Sequence, residues 1–192
     1  TLFCVDWKRK IYMQSRMQVI RGDITDLNVD VIVNSANETL LGGGGVDGAI
    51  YQKAGPKLLE ECRAHGGCTI GAAKVTFGYE LNARHVIHAV GPVWFGGNMD
   101  EEKNLEICYL RCLELAVEKK AETIAFPAIS TGAYGFPLIL ATKIAFFAVC
   151  TGLFGKDQLK LVIFSCFNDL VEEIYLETLK IFRGSDEFKL FN

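Results

Sequence analysis

The sequence predicts an α/β fold, with a sheet of short apolar strands covered by helices. Three observations carry that expectation. Runs such as Val31-Ile32-Val33 are apolar without a break, as a strand covered on both faces must be. Elsewhere apolar residues follow a helical period, clearest where Leu105, Cys108, Tyr109, Cys112, Leu113 and Ala116 recur at i, i+3, i+4 and i+7. The two kinds of segment alternate along the chain, which favours one sheet between helix layers.

Taken in order, residues 1–15 mix aromatic and basic side chains without a clear period and read as an N-terminal extension packed on the domain. Residues 17–21 alternate as a strand, and residues 22–26 form a turn. Residues 29–36 are the apolar strand, followed by a glycine-rich loop and short helices over 46–54 and 56–64. Pro56 suits the first turn of its helix, where a missing N–H costs little. Residues 73–79 and 85–90 are strands, 100–119 a helix, 123–129 a strand and 130–136 a second glycine-containing loop. Pro137 is expected at the first position of an apolar helix. The last strand covers 160–167 and the last helix 168–182, with Asn168 or Asp169 as its N-cap. The domain is therefore expected over 16–182, with a frayed tail over 183–192.

Length and composition narrow the function. The 192 residues suit a single domain, and 50% apolar with 22% charged is an ordinary globular balance. A net charge of −3 argues against bulk electrostatic binding of nucleic acid, but not against a small phosphorylated ligand held by backbone amides. Seven cysteines without a C-x-x-C spacing form no disulfide framework or metal cluster. With no cleavable signal peptide, they point to a reducing intracellular compartment, the cytoplasm. The longest apolar run, residues 138–153, contains Lys143 and falls short of the ~20 residues of a membrane span. A monomer is expected.

Chemistry concentrates in residues 31–51. An apolar strand ends on Asn34 and Asn37, passes through Gly42-Gly43-Gly44-Gly45, and meets Asp47 at the start of a helix. Glycines leave N–H groups uncovered, and a helix start adds further unpaired donors, so the segment suits an anion. A second cradle is Ser130-Thr131-Gly132-Ala133-Tyr134-Gly135-Phe136. Neither loop carries the P-loop lysine or the dinucleotide fingerprint. Two such loops suit the two sides of a diphosphate. Asp47 has two readings, a helix N-cap or a carboxylate facing a bound sugar, and the nearby asparagines and glycines favour the second. Ser130 lacks an activating His. His85 and His88 lie three apart on one strand and so point to opposite faces, which excludes a shared metal. Tyr134 and Phe167 suit either the core or stacking on a ligand.

Four stretches together resemble the macrodomain family, and within it the MacroD-type hydrolase branch. They are residues 22–25, residues 31–37 with 42–50, His88-Ala89-Val90-Gly91-Pro92, and residues 130–135. The resemblance spans about residues 16–182. It implies a three-layer α/β/α sandwich with a central mixed sheet that binds ADP-ribose in a cleft. Asp23 would then accept from the adenine amino group, with Phe167 and Ile24 against the base and Gly22 and Asn168 beside it. Gly43, Gly44, Gly45, Val46 and Gly48, facing Ser130, Thr131, Gly132 and Ala133, would hold the diphosphate. Asn34, Ala36 and Asn37 would line the distal ribose site, with Asn37 orienting its hydroxyls, Asp47 handling a water and Tyr134 packing on the sugar.

The implied activity is metal- and cofactor-independent removal of ADP-ribose from acidic side chains of modified proteins, and deacetylation of O-acetyl-ADP-ribose. The alternative is a non-catalytic reader that binds ADP-ribose or ADP-ribosylated proteins. One departure stands out: branch members often carry His four residues after the aspartate, where this chain has Tyr51. A phenol of pKa ~10 is no base near neutrality. It is expected instead to share a face with Asp47 and donate to the carboxylate or ribose.

Overall fold

A strand that is apolar on both sides needs two helix layers. The computed structural model, which describes residues 7–184, provides them. The strands are β1 (Met17–Arg21), β2 (Val31–Ser35), β3 (Ala73–Phe77), β4 (His85–Ala89), β5 (Thr123–Phe126) and β6 (Leu161–Cys166). The helices are α1 (Trp7–Ser15), α2 (Gly45–Ala54), α3 (Pro56–His65), α4 (Glu101–Glu118), α5 (Leu138–Gly152) and α6 (Asp169–Gly184), with one 3-10 turn at Ile24–Asp26. The sheet order is β1-β6-β5-β2-β4-β3, parallel except for β3, which runs antiparallel to β4.

Alternation along each strand divides the core in two. Val31, Val33, Ile87, Ile124, Phe126 and Phe164 pack on the α4, α5 and α6 side. Ile32, Val86, Ala125 and Ile163 pack on the other side against Ile50 of α2 and Leu58 and Cys62 of α3. The result is a three-layer α/β/α sandwich with a mixed sheet. None of the described helices is long and apolar enough to cross a membrane.

Register at the amino end of β2 is pinned by Asp30. Its Oδ2 accepts from the N–H groups of Glu122 (2.7 Å) and Thr123 (3.0 Å), and its Oδ1 from Arg84 Nη2 (2.7 Å). Its own N–H donates to Thr123 Oγ1 at 2.7 Å. One residue thus ties the start of β2 to both neighbouring strands.

The structure corrects several boundaries. Residues 7–15 are a helix, not an aperiodic extension, whereas residues 1–6 lie outside the described residues. Met13 and Gln14 are both buried, so no apolar period advertises this helix. It is tied to α6 where Gln14 Nε2 donates to the Phe182 carbonyl (3.0 Å) and Arg183 Nη2 to that of Gln14 (3.2 Å). β5 stops at Phe126, because Pro127 has no N–H for the ladder. Pro137 precedes α5 rather than opening it, and its carbonyl accepts from Ala141 N at 2.9 Å. Asn168 caps α6, its Oδ1 accepting from Val171 N at 3.0 Å. α6 itself reaches Gly184, and the tail expected over residues 185–192 lies outside the described residues.

Candidate functional site

Because β1, β6, β5, β2 and β4 are parallel, their carboxyl ends open on one side, where parallel sheets present ligand crevices. A cleft of about 680 Å³ lies there, walled by the loops that leave β1, β2, β5 and β6. Among the described residues, no Lys or Arg lines it. Any anion in it must therefore be met by main-chain N–H groups and neutral side chains.

Two loops supply such groups. Gly44 occupies the N-cap position of α2 with no side-chain cap, leaving the first-turn N–H groups open to the cleft wall formed by Gly43, Gly44, Gly45 and Val46. Across the cleft, the N–H groups of Gly132, Ala133 and Tyr134 have no backbone acceptor among the described residues. That loop is held shut on itself by Gly135 N to the Gly132 carbonyl (2.9 Å) and Phe136 N to the Ser130 carbonyl (3.1 Å). Ser130, Thr131 and Tyr134 also line the cavity. Ser130 Oγ is buried with no hydrogen-bond partner among the described residues.

Close packing explains two of the glycines. A Cβ on Gly48 would lie 2.7 Å from the Gly43 carbonyl oxygen, and one on Gly43 would lie 2.8 Å from Asp47 Oδ2. The loop therefore lies directly on the helix that carries the carboxylate. Gly48 was expected at the diphosphate, but it is not on the cavity wall. Its contribution is room beneath Gly43.

Asp47 sits in the first turn of α2, is 5% exposed, and lines the cavity. The structure gives it no capping role. Its Oδ1 accepts from Asn34 Nδ2 at 2.6 Å. Burial raises the carboxyl above the usual carboxylate range, and the single bond from Asn34 offsets that only in part.

Asn34 itself is fully buried and does not reach the cavity, against the expectation of a ligand contact. Its place on β2 puts it behind Asp47, facing the α2 and α3 layer. Asn37 does line the cavity. Its Oδ1 accepts from Thr39 N (3.0 Å) and Thr39 Oγ1 (2.5 Å), and its Nδ2 donates to the Gly42 carbonyl (2.9 Å). One Nδ2 hydrogen is left over for the cleft. Ala36 stands beside it on the wall.

Tyr51 is also corrected. Its hydroxyl donates to the Leu40 carbonyl at 2.6 Å, and its ring lies 6.1 Å from that of His88, away from the cavity lining. Helical side chains lean toward the turn N-terminal to them. Tyr51 accordingly reaches back over the 40–42 loop and ties it down instead of meeting Asp47 or a ligand. Burial pushes its phenol well above the ordinary value.

At the other end of the cleft, Gly22, Asp23, Ile24, Phe167 and Asn168 come together. Asp23 Oδ1 accepts from Thr25 N and Thr25 Oγ1, both at 2.8 Å, which fixes its carboxylate. Phe167 is 82% exposed, an aromatic face left to solvent at the rim. Ser35, Ala49, Pro127, Ala128, Ser165 and Val171 also line the cavity and were not foreseen. Ser165 had a visible signal, a polar residue near the end of an otherwise apolar strand. Pro127 and Ala128 were hidden by an expected strand that ran too far.

The site can be set beside known proteins. The family model described as Macro domain matches residues 33–155. A macro domain-containing protein of Chlorobaculum tepidum is 53% identical over 163 residues, covering 85% of this chain and 95% of its own. A protein of an Enterobacter species named O-acetyl-ADP-ribose deacetylase is 47% identical over 176 residues, covering 90% and 97%. Among solved structures, an Oceanobacillus iheyensis macrodomain with ADP is similar at TM-score 0.82 and 41% identity, over 86% of this chain and 90% of that one. A Trypanosoma brucei macrodomain in complex with ADP-ribose is similar at TM-score 0.80 and 42% identity, over 84% and 68%. With a family model matching more than half its length, this chain belongs to the Macro domain family.

Proposed function

We propose that this macrodomain binds ADP-ribose and hydrolyses esters on its distal ribose, releasing ADP-ribose from modified Asp and Glu side chains and acetate from O-acetyl-ADP-ribose. The observation that carries the proposal is the placement of Asp47, a buried carboxylate on the wall of a cleft that also presents main-chain donors and neutral polar side chains. The likeness to macrodomains solved with ADP and with ADP-ribose supports the ligand, and the relative named as a deacetylase supports the ester.

The adenine end falls to Asp23, Ile24 and Phe167. The diphosphate lies between the amides of 43–46 and those of 132–134, where backbone dipoles replace cationic side chains. The distal ribose then reaches Asn37, Tyr134 and Asp47. Water attacks the acyl carbon, and the acyl–oxygen bond to the ribose breaks. The acyl group leaves as a carboxylic acid and the ribose regains its hydroxyl. The proton lost by the water is taken by Asp47 or by the ligand's phosphate and is passed on to the departing ribose oxygen. An ester needs only orientation and a placed water, so no covalent nucleophile is required. The six described cysteines form no disulfide with one another, which suits a reducing, intracellular setting.

The test pairs calorimetric titration of ADP-ribose with label release from a protein modified on Glu or Asp. Asp47→Ala is expected to cut release at least about tenfold while changing ADP-ribose affinity far less. Equal loss of both means that Asp47 only shapes the pocket. Tight binding with the label left in place identifies a reader instead.

A further inference from the structure

Behind Asp47 a line of buried polar side chains runs away from the cleft. Asn34 and His88 are register partners on the adjacent parallel strands β2 and β4. Asn34 Nδ2 lies 2.6 Å from Asp47 Oδ1 and 3.1 Å from His88 Nδ1. On the far side of the ring, His88 Nε2 lies 3.0 Å from Thr76 Oγ1 and 3.5 Å from Cys62 Sγ. Asn34 and His88 are 0% exposed and Thr76 is 2% exposed, so no water competes for these bonds.

The donors and acceptors fit together in one order. Thr76 Oγ1 lies 3.2 Å from the Phe77 carbonyl and donates its proton there, which leaves a lone pair to accept from His88 Nε2–H. With its proton on Nε2, His88 presents Nδ1 as an acceptor. An accepting Nδ1 requires the NH2 side of the Asn34 amide, and that same NH2 also meets Asp47. Nothing holds the amide by its oxygen, because Asn34 Oδ1 is buried without a partner among the described residues. The neighbours of Nδ2 therefore decide which way the amide points. Reversed, it would set its oxygen against both Asp47 and Nδ1, an arrangement tolerated only with Asp47 protonated and the His88 proton on Nδ1.

We propose that His88 is a positioning residue which, through the Asn34 amide, holds Asp47 as an ionised acceptor facing the cleft. The inference rests on Asp47 being the carboxylate that handles the water. Burial lowers His88 to about 3, so it stays neutral at working pH and acts by its tautomer, not its charge. His65 on α3 is the titratable group that bears on it. The titratable groups that bear electrostatically on Asp47 are Tyr51 on its own helix, Cys62 on α3 and Tyr134 from the loop after β5. Burial pushes each of them up, so all three stay neutral.

The test measures label release across pH for the wild type, His88→Phe, His88→Gln and Asp47→Asn, together with 15N NMR of the His88 ring. His88→Phe cannot accept from Asn34. Its acid limb is expected to move up by about one pH unit, with kcat at pH values below the limb down about tenfold and KM within about twofold. His88→Gln, whose amide oxygen can accept, is expected to recover most of that rate. In the wild type the ring is expected protonated on Nε2 and bare on Nδ1, a readout independent of turnover. The ring measurement and the variant Thr76→Val, expected to move the limb in the same direction, stand even where His88→Phe fails to fold. A proton found on Nδ1, or an unmoved limb with both His88 variants equally slow at every pH, overturns the proposal. Should Asp47→Asn turn over like the wild type, the assignment of Asp47 fails and the relay with it. An inactive Asp47→Asn beside an unmoved limb in His88→Phe overturns the relay alone.

Discussion

Two carboxylates stand at opposite ends of β2, and the contrast between them separates a structural acid from a working one. Asp30, at the amino end, is met by the N–H groups of Glu122 and Thr123 and by the Arg84 guanidinium. Burial alone would raise its carboxyl, but these donors outweigh it and hold it below the usual carboxylate range. Asp47, beyond the carboxyl end, is more deeply buried and has one side-chain donor, so burial prevails and its carboxyl is raised. A carboxylate surrounded by donors has few lone pairs and little basicity left to offer. One that is desolvated and under-bonded has both, at a cost in stability.

That contrast can be broken most sharply by Asp47→Asn. Release of ADP-ribose from an acidic side chain is expected to fall about 100-fold. The melting temperature is expected to hold or rise, because a buried charge is removed while Asn34 keeps an acceptor. Asp30→Ala should do the reverse. Denaturant titration is expected to show a loss of ~1–3 kcal/mol, from stranded N–H groups at the start of β5, with release per folded molecule unchanged.

The pH dependence of stability sharpens the comparison, since the two shifts have opposite signs. For Asp30 the folded pKa is lowered. Its contribution is present above the unfolded value of ~3.9 and is lost as pH falls through the folded one. For Asp47 the folded pKa is raised. Ionising it takes stability away as pH rises from ~3.9 through the folded value. Acid titrations of melting temperature should therefore flatten in Asp30→Ala and gain at neutral pH in Asp47→Asn. His88 adds a third slope: with a folded pKa of about 3, it removes stability as pH falls below ~6.5, by up to ~1.4 kcal/mol per pH unit. The smallest effect is expected from Tyr51→Phe. Freeing the Leu40 carbonyl should weaken ADP-ribose about threefold by calorimetry, through a looser 40–42 loop, and leave the acid limb of release in place.

Most of the fold was legible because apolar runs and helical periods are local signals. The sequence of strands and helices from residue 17 onward matches the expectation to within a few residues. α1 was not legible, since its buried positions Met13 and Gln14 form no apolar face. At the site, the glycines and Asp47 announced themselves by residue type and order. What could not be read was direction. Asn34 and Asn37 look equivalent on paper, yet one is three residues further along and clear of the strand, so only Asn37 reaches the cavity wall. Tyr51 sits one turn from Asp47, but side-chain lean takes it to Leu40. His88 pairs with Asn34 only because β2 and β4 are neighbours in a given register, a long-range fact with no local trace.

The most direct measurement is a crystal structure of this chain with ADP-ribose. The expected result has the diphosphate within hydrogen-bond distance of the amides of 43–46 and 132–134, no Lys or Arg touching it, and the Asp47 carboxylate turned toward the distal ribose. A diphosphate seated elsewhere, or Asp47 directed away from the sugar, contradicts it.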